Sequence, residues 1–102
     1  MLCLRSMAIY PKVMLYRQNP NICAAELDGE ICLFDPNKAE YLSLNSSGSA
    51  IWNLLAEAID KGAIVAELLE CYEVEEATCQ SEVEAFLKDT TDQGLVLQKS
   101  VL

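Results

Sequence analysis

Histidine is absent from this chain of 102 residues, which removes the commonest metal ligand and the commonest general acid or base. Positive charge is scarce: seven Lys and Arg stand against sixteen Asp and Glu, a formal charge of -9. Such a field repels phosphate backbones and anionic lipid and attracts cationic partners, so nucleic acid and membrane are disfavoured. The cysteines are odd in number (Cys3, Cys23, Cys32, Cys71, Cys79) and no two form a C-x-x-C pair. Neither a disulfide framework nor a zinc knuckle fits that spacing, and a reduced, cytoplasmic setting follows. The opening stretch Met1 to Tyr10 is mildly apolar. It is too short to span a bilayer, lacks a clear small-residue cleavage site, and reads as a frayed arm.

What is present is enough for one core: 52% of the residues are hydrophobic, and a chain of this size buries a single core. Lys12 to Gln18 is composed like a strand or a packed extension and is broken by Asn19-Pro20-Asn21. Ile22 to Leu27, then Asp28-Gly29, then Glu30 to Phe34 predicts a hairpin, since Asp-Gly supplies the positive φ values that a two-residue turn needs. Asp35-Pro36-Asn37-Lys38 predicts a second turn. In the third strand, Ala39 to Leu44, Leu42 and Leu44 fall on one face and Tyr41 and Ser43 on the other.

Asn45 or Ser46 then caps a first helix, along which Ile51, Leu54, Leu55 and Ala58 recur at helical spacing with Trp52 beside them. Gly62 interrupts that pattern, and Ile64, Val65, Leu68, Leu69 and Tyr72 define a second helix. A third runs from about Glu75 to Asp92, with Cys79, Val83, Phe86, Leu87 and Thr90 on one face. Gly94 closes it as a left-handed cap, and Leu95-Val96-Leu97 follows as an apolar tail or strand. The expected fold is therefore α+β and winged helix-turn-helix-like: a three-stranded antiparallel meander followed by three helices. Such a fold can read DNA with its last helix, or take up a peptide as an added strand on its sheet edge.

The order and spacing of Asp28-Gly29-Glu30-Ile31-Cys32-Leu33-Phe34-Asp35, Tyr41-Leu42-Ser43-Leu44-Asn45, Gly48-Ser49-Ala50-Ile51-Trp52, and Phe86-Leu87 with Gly94-Leu95-Val96 resemble the coenzyme PQQ synthesis protein D family. The resemblance covers about residues 21 to 97. It divides the chain into an arm over 1–20 that includes the candidate extra strand, a recognition domain over 21–98 and a tail over 99–102. It implies a non-catalytic recognition element that captures the leader of a ribosomally made precursor peptide. The core segment is then presented to a maturation enzyme such as a radical SAM enzyme, a cyclase or a leader protease. No cofactor and no metal are implied. One departure stands out: the residues after Gly62 carry no Ser or Thr cap, which leaves the start of the second helix open.

In that family the leader adds against the third strand, in a groove shared with the third helix. The resemblance thus implies a peptide site at Ala39, Glu40, Tyr41, Leu42 and Ser43 on the strand and Val83, Phe86 and Leu87 on the helix. An exposed edge offers unpaired N–H and C=O groups to an extended chain, and apolar pockets beside it select side chains. The plainer readings stand beside these: Val83, Phe86 and Leu87 as ordinary core, Tyr41 as a cross-strand packing residue, and Trp52 as core. On the same plain reading the glutamates of the last two helices are a solvated face, the alternative being that some steer a basic leader or a basic patch on the partner enzyme, and the cysteines are small buried hydrophobes, with Cys3 the one exposed to reaction. Three functions compete: the peptide module, a DNA-binding winged helix opposed by the charge, and a structural dimerisation subunit whose edge strand pairs with its own copy as a homodimer.

Overall fold

The computed structural model describes residues 13–100, so the frayed arm expected over Met1 to Tyr10, with Cys3, lies outside the described part. Within it the chain runs β1 (Met14–Gln18), β2 (Cys23–Leu27), β3 (Glu30–Asp35), β4 (Glu40–Ser43), α1 (Ser46–Leu54), β5 (Ile59–Asp60), α2 (Lys61–Cys71), α3 (Glu76–Asp92) and β6 (Val96–Ser100). The fold is α+β with antiparallel strands, and the expected meander is one sheet in the order β2-β3-β4.

Local chemistry sets the meander. Asp28 and Gly29 take φ of 54 and 82°, the double left-handed turn whose twist matches its flanking strands, and Leu27 faces Glu30 across it. At the next turn the Asp35 carboxylate accepts the Asn37 N–H at 3.0 Å. The third strand opens one residue later than expected. Ala39 has φ 54° and completes the turn, so the pairing runs from Asp35↔Glu40 to Cys32↔Ser43.

Asn45 is the residue that caps α1, its side chain accepting the Gly48 N–H at 2.8 Å. One turn on, the buried Ser49 hydroxyl accepts the Ile31 N–H at 2.9 Å and donates to the Leu44 carbonyl at 3.3 Å. That pair of bonds fixes the helix on β3 and on the end of β4. Ile51, Trp52 and Leu55 are buried, whereas the chain leaves the helix at Leu54 and Ala58 is exposed. The start of α2 corrects the sequence reading: Asp60 caps it, accepting the Ala63 N–H at 2.7 Å, so Gly62 lies within the first turn. The end of α3 follows expectation. Gly94 has φ 79°, and bonds from Gly94 N–H to the Thr91 carbonyl (3.1 Å) and from Leu95 N–H to the Thr90 carbonyl (2.9 Å) form a Schellman closure.

The segment over Lys12 to Gln18 contributes a true strand. β1 is the centre of a second sheet, β5-β1-β6, where the chain after α3 pairs along its full length from Met14↔Ser100 to Gln18↔Val96. Gln18 and Asn19 pin it down, their side-chain amides donating to the Trp52 carbonyl (2.7 Å) and the Gly94 carbonyl (2.8 Å). One core, centred on Leu33, Leu55, Ile64, Val83 and Val96, each 1% exposed or less, draws on both sheets and all three helices. The cysteines divide rather than all being buried: Cys79 is core, Cys32 is half-buried, and Cys23 and Cys71 are exposed.

Candidate functional site

β4 is an edge strand. β3 pairs with one side of it, and among the described residues no strand pairs with the other, since β1 is engaged with β5 and β6. The Leu44 N–H donates to the Ile31 carbonyl at 2.8 Å, which makes this a hydrogen-bonded pair. In an antiparallel ladder such pairs alternate. Leu42 and Glu40 therefore turn their main-chain groups towards β3, and Tyr41 and Ser43 turn N–H and C=O towards the open edge. Two residues thus offer a complete unpaired set of donors and acceptors to an added strand.

The side chains of β4 alternate as the sequence implies. Leu42 is half-buried against the core, opposite Leu33. Tyr41 lies on the other face and is 75% exposed, with its ring 4.7 Å from that of Phe34, its cross-strand partner. Ser43 and Glu40 are exposed, and Ala39 belongs to the turn.

On α3 the three sequence candidates separate by depth. Val83 is 0% exposed and Leu87 3%, so both are core. Phe86 is half-buried and packs on the core margin. Its ring reaches the first turn of α1, where a Cβ at Gly48 would lie 3.3 Å from Phe86 Cε2 and 3.4 Å from Leu44 Cβ. Glycine at 48 is what lets the ring lie there. Phe86 thus lies against the first turn of α1, which follows β4 in the chain, with Val83 and Leu87 of the same helix buried in the core.

Next to β4 a hollow of about 260 Å³ is lined by Leu33, Leu42 and Leu95, with Tyr41, Lys38 and Gln93 among its other walls. Lys38 closes its end, donating from Nζ to the Gln93 carbonyl at 3.1 Å, where the carbonyls at the end of α3 favour a cation. Sequence reasoning gave Leu33, Lys38, Leu95 and Gly48 no place in the peptide site. Leu33 was within reach, because the hairpin and the following turn place it opposite Leu42. Contact between Gly48 and Phe86, 38 positions apart in the numbering, has no local signature.

The geometry is that of a small α+β domain with an open sheet edge and a hollow between that edge and the end of its last helix. The model of the coenzyme PQQ synthesis protein D (PqqD) family matches residues 30–96, and the chain belongs to that family. Two solved structures resemble it. One is TbiB1 in complex with the TbiA(beta) leader peptide: 26% identical, covering 78% of this chain and 93% of that one, with a TM-score of 0.72. The other is lasso peptide synthetase B1 complexed with the leader peptide: 26% identical, covering 80% and 96% of the two chains, with a TM-score of 0.71. No curated protein matches the sequence. Among the described residues no helix is long and apolar enough to cross a membrane, and no group of three or more His, Cys, Asp or Glu is placed to hold a metal ion.

Proposed function

We propose that this protein is a non-catalytic peptide-binding module that captures the leader of a ribosomally made precursor and holds it for a maturation enzyme. The observation that carries the reading is the open side of β4, with the main-chain groups of Tyr41 and Ser43 directed outward. Family membership and the two leader-bound neighbours support it. The leader forms a fourth strand on the meander. Main-chain bonds to Tyr41 and Ser43 hold it in register, and its apolar side chains settle on Leu42 and Phe86. Each one fully buried contributes about 1.5 to 3 kcal/mol before the ordering cost of the peptide is subtracted. Val83 and Leu87 support Phe86 from below, and Glu40 and Ala39 set the end of the strand.

The test is titration of the whole chain with leaders of candidate precursor peptides, taken from short reading frames next to its gene, and read by fluorescence anisotropy. At least one leader binds, and Leu42→Asp abolishes that binding while the melting transition persists. A leader that binds Leu42→Asp as well as the natural chain would place the site elsewhere.

A further inference from the structure

A second hollow lies beyond the end of β4. It measures about 310 Å³ and is walled by Ser47 and Ala50 of α1, Tyr72 and Val74 of the α2–α3 connection, and Cys79 and Val83 of α3. Its walls are largely apolar, and its rim keeps two large side chains in solvent, Tyr72 at 52% and Val74 at 47% exposed.

This hollow and the one beside β4 lie along the same helix. Glu40, Tyr41 and Leu42 face Gln93 and Leu95 at the C-terminal end of α3. Gly48 faces Phe86 midway, and Ser47 and Ala50 face Cys79 and Val83 near its N-terminal end. The β4–α1 segment thus runs along α3 in the opposite direction, with the Gly48–Phe86 contact between the two hollows in the order of the helix. From Cys79 to Gln93 the rise of about 1.5 Å per residue gives a helix length of about 21 Å. An extended peptide at about 3.3 Å per residue crosses that distance in about six residues.

Charge selects the occupant. Between Glu67 and Leu87 the sequence has seven glutamates and no Lys or Arg. Glu82 itself lines the hollow, and no ion pair among the described residues engages it. A peptide entering here meets an apolar floor with the Glu82 carboxylate at its edge, which favours Lys or Arg beside an apolar side chain and disfavours Asp or Glu.

Building on the leader-binding reading above, we infer that the hollow between α1 and the start of α3 is a second anchor site for the same peptide. It takes an apolar side chain about six residues along from the one seated at Leu42, flanked by a basic residue that meets Glu82. The substrate class is then a leader with two apolar anchors at that separation and positive charge at one of them, not any strand-forming peptide.

The experiment is display selection on the whole chain with random peptides long enough to cross both hollows, repeated on Ser47→Trp and Thr78→Trp. Both positions are exposed on opposite walls of the hollow, so an indole there fills it without entering the core, and a melting curve verifies each fold. The natural chain selects two-anchor peptides rich in Lys or Arg at the second anchor. Both tryptophan variants retain only the anchor at Leu42 and bind the selected peptides about tenfold or more weakly, and Glu82→Lys shifts the flanking preference to acidic residues. Peptides with one anchor, bound equally by the tryptophan variants but lost with Leu42→Asp, would overturn this inference and leave the edge-strand reading standing. Selection that survives Leu42→Asp, or no selection at all, would overturn both.

Discussion

Gly48 and Phe86 share a contact that is tight for a methyl group: a Cβ at 48 would stand 3.3 Å from Phe86 Cε2. The glycine sits in the first turn of α1, directly after the Asn45 cap, and the ring belongs to the helix that flanks β4. The position of the aromatic on the surface is therefore set by a residue on another element. Gly48→Ala gains roughly 1 kcal/mol of helix propensity, and the ring, half-buried at the core margin, yields outward. Stability accordingly changes by less than about 1 kcal/mol while leader affinity falls. Melting curves and anisotropy titrations of the same variant check the two halves of this expectation.

Ser49 carries a different burden. Its hydroxyl serves the Ile31 N–H and the Leu44 carbonyl inside the core, so Ser49→Ala strands a buried donor. A loss of about 1 to 3 kcal/mol is expected, read as a lower urea midpoint with an unchanged slope. Because the serine joins α1 to the β3–β4 pair, the amides of β4 should also exchange faster in this variant.

The cysteines differ in chemistry as in burial. Desolvation first, and then the nearby charges of Glu82 and Glu76, raise the Cys79 thiol above its ordinary value of 9.0. The folded protein thus holds that proton more tightly than the unfolded chain does. The resulting stabilisation is fully present below the ordinary thiol range and is lost as pH climbs through the raised value. Iodoacetamide at neutral pH should modify exposed Cys23 and Cys71 first and Cys79 last. In Cys79→Ala the part of the alkaline loss of stability owed to this thiol disappears.

How much of this was legible in the chain depended on whether the cause was local. Asp28-Gly29 and Gly94 dictate left-handed backbone by themselves, and the turns they predict are there. The apolar face of α3 was equally plain from spacing, but spacing gives a face and not a depth. Val83 and Leu87 are sealed and Phe86, packed against α1 at Gly48, is half-buried. Ala39 has no residue type that announces positive φ, so the strand appeared one residue too long. Asp60 was overlooked as a cap because Gly62 suggested an interruption, although glycine is tolerated in a first turn held by the Asp60–Ala63 bond. Least visible was the β1–β6 pairing, from Met14↔Ser100 to Gln18↔Val96, whose partners stand at opposite ends of the sequence. That pairing matters for the site, since it gives the early strand a home away from β4.

The most direct test of the account is amide hydrogen exchange of the whole chain, free and with a bound leader, resolved at β4. In the free protein the Tyr41 and Ser43 amides exchange quickly and the Leu44 amide, bonded to Ile31, slowly. Leader binding should slow Tyr41 and Ser43 by an order of magnitude or more and leave Leu44 nearly unchanged. Leader bound at saturation with Tyr41 and Ser43 still exchanging at their free rates would contradict it.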